Sequence, residues 1–202
     1  MISIQLLKYL LISSFLLIGG CNQPESKPAV FNVPKPVTAV QLIIPGKSIG
    51  KITLNENAEL VFKKLGKPDA GDAAMGKSVA TWYANHDSAS YQTQIFCSRQ
   101  MGTAHENTNS IKQIRITSPY FKTVNGIGAG SMLKQINAFF IVKKTLTYKE
   151  NKQQFFVYDT IKGIAFEVAA NGKCVGIIVY LPENAGNITY LPFRSVQQIL
   201  SK

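Results

Sequence analysis

Ile52-Thr53-Leu54-Asn55-Glu56-Asn57-Ala58-Glu59-Leu60-Val61-Phe62-Lys63-Lys64-Leu65-Gly66-Lys67-Pro68 is the stretch on which the reading of the fold turns. Leu54, Ala58, Val61, Phe62 and Leu65 recur at the spacing of one helical face. Asn55 stands where an N-cap belongs, and Gly66 and Pro68 end the helix. Further along, Ile127-Gly128-Ala129-Gly130-Ser131 leads into Met132, Leu133, Ile136, Phe139 and Phe140. Setting Ile52 on Ile127 also sets Val61 on Ile136, Leu65 on Phe140 and Tyr83 on Tyr158. Agreement of that kind predicts an internal repeat of a short helix, each of about three turns.

After each helix the period changes from helical to alternating. Residues 79–83, 91–96 and 111–117 read as strands, as do 154–158, 164–168 and 175–181, because β-branched and aromatic residues dominate them. Asn171-Gly172 is a compact hairpin signal, and the longer polar loop 98–110 takes its place in the first half. Residues 188–191 read as an added edge strand, and 195–200 as a closing helical turn. The expected fold class is therefore α+β: two tandem helix-plus-antiparallel-meander units, with helices packed on one face of the sheet. The units are expected at 39–119 and 120–202.

Ile52-x-Leu54-Asn55…Leu65-Gly66-Lys67-Pro68 in the first unit and Gly126-Ile127-x-x-Gly130-Ser131 in the second carry a resemblance, with Gly163-Ile164-x-Phe166 and Val175-x-x-Ile178. Together they resemble the β-lactamase-inhibitory-protein-like fold. The small outer-membrane-assembly lipoproteins use one copy of a similar unit. The resemblance implies a protein that holds its target on a sheet face, but no motif here transfers contact residues from that family.

The start of the chain bears on location. Lys8, an apolar run from Tyr9 to Ile18 and Gly19-Gly20 precede Cys21. This is the pattern of a secretory signal, and the run is shorter than the roughly 20 apolar residues of a membrane span. Ile18-Gly19-Gly20-Cys21 resembles the lipobox of bacterial lipoproteins. The resemblance implies cleavage of residues 1–20 and an acylated sulfur at Cys21, hence a membrane partner through lipid. Asn22 follows the cysteine, where an aspartate would resemble an inner-membrane retention signal, so the outer membrane is favoured. Pro24, Pro28, Pro34 and Pro36 make residues 21–38 a lipidated, extended tether with a reach of roughly 50 Å.

The chain carries a net charge of +11. Nucleic acid is not the expected partner, because the lysines are scattered without an aromatic-interleaved stripe and the leader exports the protein. Beyond Cys21, Cys97 and Cys174 remain. They form either a disulfide, contributing roughly 4 kcal/mol in the chain-entropy picture, or two small buried hydrophobes.

Residues able to carry catalysis are few. His86 and His105, with Asp87, Cys97 and Glu106, could form a metal site or a thiol–imidazole pair, but no close ligand spacing is present. No metal or cofactor is expected. Gly126, Gly128 and Gly130 read as a tight backbone path into the second helix, since the loop lacks the lysine of a phosphate-binding loop. Alternation in the first-unit strands points elsewhere. Gln92, Gln94, Gln113 and Arg115 share one sheet face, with Trp82 or Tyr83 nearby, opposite an apolar face of Ile95, Ile114 and Ile116. Arginine and a large aromatic on such a face suit a protein partner. The leading expectation is a non-enzymatic envelope lipoprotein that binds a protein or envelope component there. The alternatives are an enzyme using His86, Cys97 and His105, and a purely structural envelope lipoprotein.

Overall fold

In the computed structural model, residues 36–104, 106–184 and 197–199 are described. The leader, Cys21, the tether as far as residue 35, His105 and the edge strand expected at 188–191 lie outside them. All described residues fall in one compact unit, Pro34–Lys202.

The six strands expected from alternation all form. They are β5 (Lys77–Tyr83), β6 (Gln92–Ser98), β7 (Ser110–Ile116), β10 (Gln153–Asp159), β11 (Ile164–Ala169) and β12 (Cys174–Tyr180). Strands β1 (Leu42–Ile44), β2 (Ser48–Ile49), β3 (Ile52–Thr53), β4 (Ala70–Ala74), β8 (Lys122–Thr123) and β9 (Lys143–Glu150) were not foreseen. The closing helical turn expected at 195–200 is instead a strand, β13 (Gln197–Ile199), antiparallel to β9 with Ile199 opposite Leu146. The outer edge of β9 offers that segment backbone partners, and a single helical turn could not compete with them.

A nine-stranded antiparallel sheet runs β13-β9-β10-β11-β12-β7-β6-β5-β4, and a small four-stranded sheet runs β3-β2-β1-β8. Both expected halves enter the large sheet as one surface. Strand β7 of the first pairs with β12 of the second, Ile116 opposite Ile177 and Ile114 opposite Val179. The Asn171-Gly172 hairpin forms as read, with Gly172 at φ 81°.

The α+β expectation, with two tandem units and helices packed on a sheet face, does not hold. Among the described residues the fold is mostly β, with two short α-helices, α1 (Ala58–Leu65) and α2 (Leu133–Asn137), of eight and five residues. Neither forms a layer over a sheet. Ala58, Val61 and Ile136 are the buried residues they contribute. The first face of the large sheet (Trp82, Ile95, Ile114, Ile116, Phe166, Ile177) shares its core with Ile43, Ile49 and Ile52 of the small sheet and with the loop residues Leu54, Ile127 and Phe140. Helix α1 starts two residues later than expected. Asn57, not Asn55, is its N-cap, accepting from the Glu59 N–H at 2.9 Å, while Asn55 takes a left-handed φ of 62°. Gly66, at φ 82°, ends it as read.

The opposite face is not solvated. Leu146, Tyr148, Phe155, Val157, Ala165, Ile178 and Tyr180 form a second apolar cluster there. Burial on both faces explains why Ile164–Ala169 and Cys174–Tyr180 read as nearly continuous apolar runs.

The two sheets meet at a pair of glycines. The Gly46 N–H donates to the Gly163 carbonyl at 3.0 Å, and a Cβ on Gly163 would meet the Gly46 Cα at 2.7 Å and the Tyr180 carbonyl. Gly163 also sits at φ 76°. Replacing it with alanine therefore combines left-handed strain with overpacking. The expected loss is about 3 kcal/mol in a denaturant titration, with the unfolding slope unchanged.

Candidate functional site

The polar residues expected on one face do come together, but inside the protein. Arg115 on β7 donates from Nη1 to Gln92 Oε1 at 3.2 Å and to Gln94 Oε1 at 3.0 Å. Its Nε and Nη2 both lie 2.7 Å from Glu167 Oε2 on β11. Tyr148 donates to the other Glu167 oxygen at 3.2 Å. Arg115 is 7% exposed and Glu167 0%. Burial opposes the guanidinium charge, and the Glu167 carboxylate outweighs it, so the Arg115 pKa stands above its ordinary value. Gln113 is also buried, opposite Phe96 and Tyr180 in register. Trp82 lies on the other face, in the first core. Its Nε1 donates to the Gly66 carbonyl at 3.0 Å and its ring meets Phe62 edge-on.

The expected polar surface is thus an internal ion-pair network. Sequence reading missed Glu167, although one acid in Ile164-Ala165-Phe166-Glu167-Val168-Ala169 signals a buried partner for a cation. Removing that partner leaves a charge stranded in the core. Glu167→Gln should lose about 3–5 kcal/mol in chemical denaturation, and pairing it with Arg115→Met should recover much of the loss.

The residues considered for catalysis are dispersed. His86 Nδ1 lies 2.6 Å from Asp69 Oδ1 at the surface beyond β5, and the Tyr83 amide and then His86 hold the Asp69 carboxyl below its ordinary pKa. Cys97 is opposite Ser78 at the other end of β5. From Ser78 to Tyr83 the strand extends about 17 Å, so no thiol–imidazole pair forms between Cys97 and His86. Among the described residues no three His, Cys, Asp or Glu side chains come together as metal ligands.

Cys97 and Cys174, weighed as a disulfide, are both free and buried. Burial pushes each thiol up to about 12. Neither should react with a thiol reagent near pH 8 until the protein unfolds, when both should, as counted by absorbance of the released chromophore.

The glycine-rich loop uses its amides internally. Gly128 N–H donates to Ser131 Oγ at 3.1 Å, and Gly130 N–H to the Cys174 carbonyl at 2.8 Å. It is the tight path into α2 that the sequence implied. Beside it an open cleft of about 670 Å³ is lined by Tyr91, Thr117, Pro119, Gly130, Lys173 and Val175, among others. Lys122 donates to the Ala129 carbonyl at 3.1 Å, and burial lowers its pKa.

The surface feature with the clearest binding chemistry is β4, the last strand of the large sheet among the described residues. All five of its residues, Ala70-Gly71-Asp72-Ala73-Ala74, are exposed. Met75 and Gly76 form a two-residue turn with φ of 49° and 73°, so Ala74 and Lys77 are the hydrogen-bonded pair that closes the hairpin. Ala70 and Asp72 then face β5, and the backbone groups of Gly71 and Ala73 face outward. Asp72 Oδ1 accepts the Ala73 N–H at 2.8 Å. The alanine-rich composition hid this strand, since it lacks β-branched residues.

Comparison with protein-family models, with curated proteins and with solved structures found no match.

Proposed function

We propose that this chain is a non-enzymatic, lipid-anchored protein of the cell envelope whose folded body binds an extended segment of another polypeptide along β4. The observation that carries the binding step is the outward backbone edge at Gly71 and Ala73, on a strand without bulky, basic or proline residues. A strand added there would gain main-chain hydrogen bonds from a rigid template already nine strands wide. Of the polar residues first considered for binding, Gln92, Gln94 and Arg115 belong to the Arg115–Glu167 network and are engaged within the protein. The lipobox-like Ile18-Gly19-Gly20-Cys21 and the proline-rich tether support placement at a membrane, with the outer membrane favoured by Asn22.

Photocrosslinking in native membranes tests this reading. A photoreactive residue at Ala73 should trap a specific partner, whereas one at the exposed Ile161 should not. Ala73→Pro removes an outward N–H from an edge position that tolerates proline, so capture should fall at least tenfold while the unfolding free energy stays within about 0.5 kcal/mol of the parent. Equal capture from both positions, or capture that survives Ala73→Pro, would sink the proposal.

A further inference from the structure

Residues 107–149 contain no aspartate or glutamate, yet Lys112, Lys122, Lys134, Lys143, Lys144 and Lys149 all fall within them. At the end of α2 this basic stretch carries two exposed large apolar side chains, Phe139 at 50% and Ile141 at 97% of their free areas. They are held out by what lies between and after them. Phe140 turns inward, 8% exposed, with its ring 5.2 Å from that of Phe166, and Val142 packs against the same core. Backbone bonds from the Phe139 and Phe140 N–H groups to the Ile136 carbonyl, at 3.0 and 2.9 Å, fix the turn. Lys134 on α2 and Lys143 and Lys144 at the start of β9 flank it along the chain and are exposed. Lys144 also stands over the Phe156 ring at 4.8 Å. Asp159, opposite Lys143 in register, is engaged by the Tyr180 hydroxyl and the Thr160 N–H.

We propose that this shoulder seats on an anionic lipid surface, with Phe139 and Ile141 entering the headgroup boundary and Lys134, Lys143 and Lys144 meeting lipid phosphates. Exposed apolar side chains flanked by exposed lysines, without acidic residues in the segment, match the two attractions that hold peripheral proteins on anionic bilayers. A protein partner would more often find fewer lysines around an apolar centre. The proposal stands on the shoulder's own chemistry and rests on the lipid-anchor reading only for a tether that keeps the body close to a bilayer. Docked in this way, the body would lie on the membrane in a defined orientation.

Tryptophan quenching by brominated phosphatidylcholine tests it on the full chain. Ile141→Trp and, as a control in the exposed β4–β5 turn at the far side of the large sheet, Met75→Trp are each mixed with vesicles of that lipid, with and without phosphatidylglycerol. The native Trp82 is buried and supplies the unquenched background. Quenching is expected at 141 and not at 75, and only with phosphatidylglycerol present. Lys134→Glu with Lys143→Glu should weaken the 141 signal about tenfold or more. Phe139→Ser with Ile141→Ser, both at exposed positions, should keep the parent circular dichroism and abolish association with anionic vesicles that does not depend on an acyl chain. Equal quenching at 141 and 75, or indifference to phosphatidylglycerol, overturns the docking. If the acylated chain floats on both vesicle types with 141 unquenched, the docking fails while the anchor stands. If mass spectrometry finds no acyl group yet 141 is quenched on anionic vesicles, the docking stands and the anchor fails.

Discussion

The Arg115–Glu167 ion pair crosses a whole strand, and the architecture is built around that crossing. Arg115 belongs to β7, Glu167 to β11, and β12 runs between them. The bridge passes over Gly176, where a Cβ would meet the Glu167 carboxylate and lie 3.4 Å from Arg115 Nη2. A side chain at that position would push the charges apart, so the glycine is part of the site that holds them. Because β7 and β12 are the strands by which the halves of the chain join, the pair also fixes their register. A one-residue slip would turn Arg115 towards Ile95 and Ile177 in the other core. Gln92, Gln94 and Tyr148 occupy much of the remaining hydrogen-bonding capacity of the two charges, as a buried pair requires.

Joining the halves in one sheet changes what the helices are for. Two independent units would each need a helix long enough to cover a sheet face. Here the small sheet and the loops through Leu54, Ile127 and Phe140 fill the first core, and α2 can stop after five residues so that Phe140 turns inward. The contact between Gly46 and Gly163 lets the sheets approach at backbone distance. Fully buried side chains such as Ile43, Ile136 and Phe166 then come from quite different elements, yet belong to one cluster.

Strand positions were legible wherever burial followed a period of two. Tyr158 to Gln154 and Ile116 to Ile111 declared themselves through β-branched and aromatic residues, and the assignment of Gln94 and Arg115 to one face and Ile95 to the other holds. What that alternation could not reveal was the polarity of the surroundings. A polar side chain opposite an apolar one reads as solvated unless its charge partner is found, and Glu167 lies on a distant strand of the other half. Thr145-Leu146-Thr147-Tyr148 also alternates, but its lysine neighbours and the helix expected just before it obscured β9. Strand β4 could not be read at all from propensity. It is held by the turn at Met75-Gly76 and by pairing to β5, and both depend on tertiary context.

An open edge of alanine and glycine invites indiscriminate pairing, and Asp72 bears on that hazard. Its carboxylate occupies the Ala73 amide, one of the few outward donors on the strand. An arriving strand must displace that contact and bring its own chain beside a fixed negative charge. A second copy paired antiparallel about Asp72 would set two such charges opposite one another, an unfavourable cross-strand pair. Self-association is therefore penalised by the same residue that leaves a strand bearing lysine or arginine at that position comparatively favoured. Selectivity at this edge would come from one charge on a nearly featureless backbone, which requires no deep pocket and no large side chain.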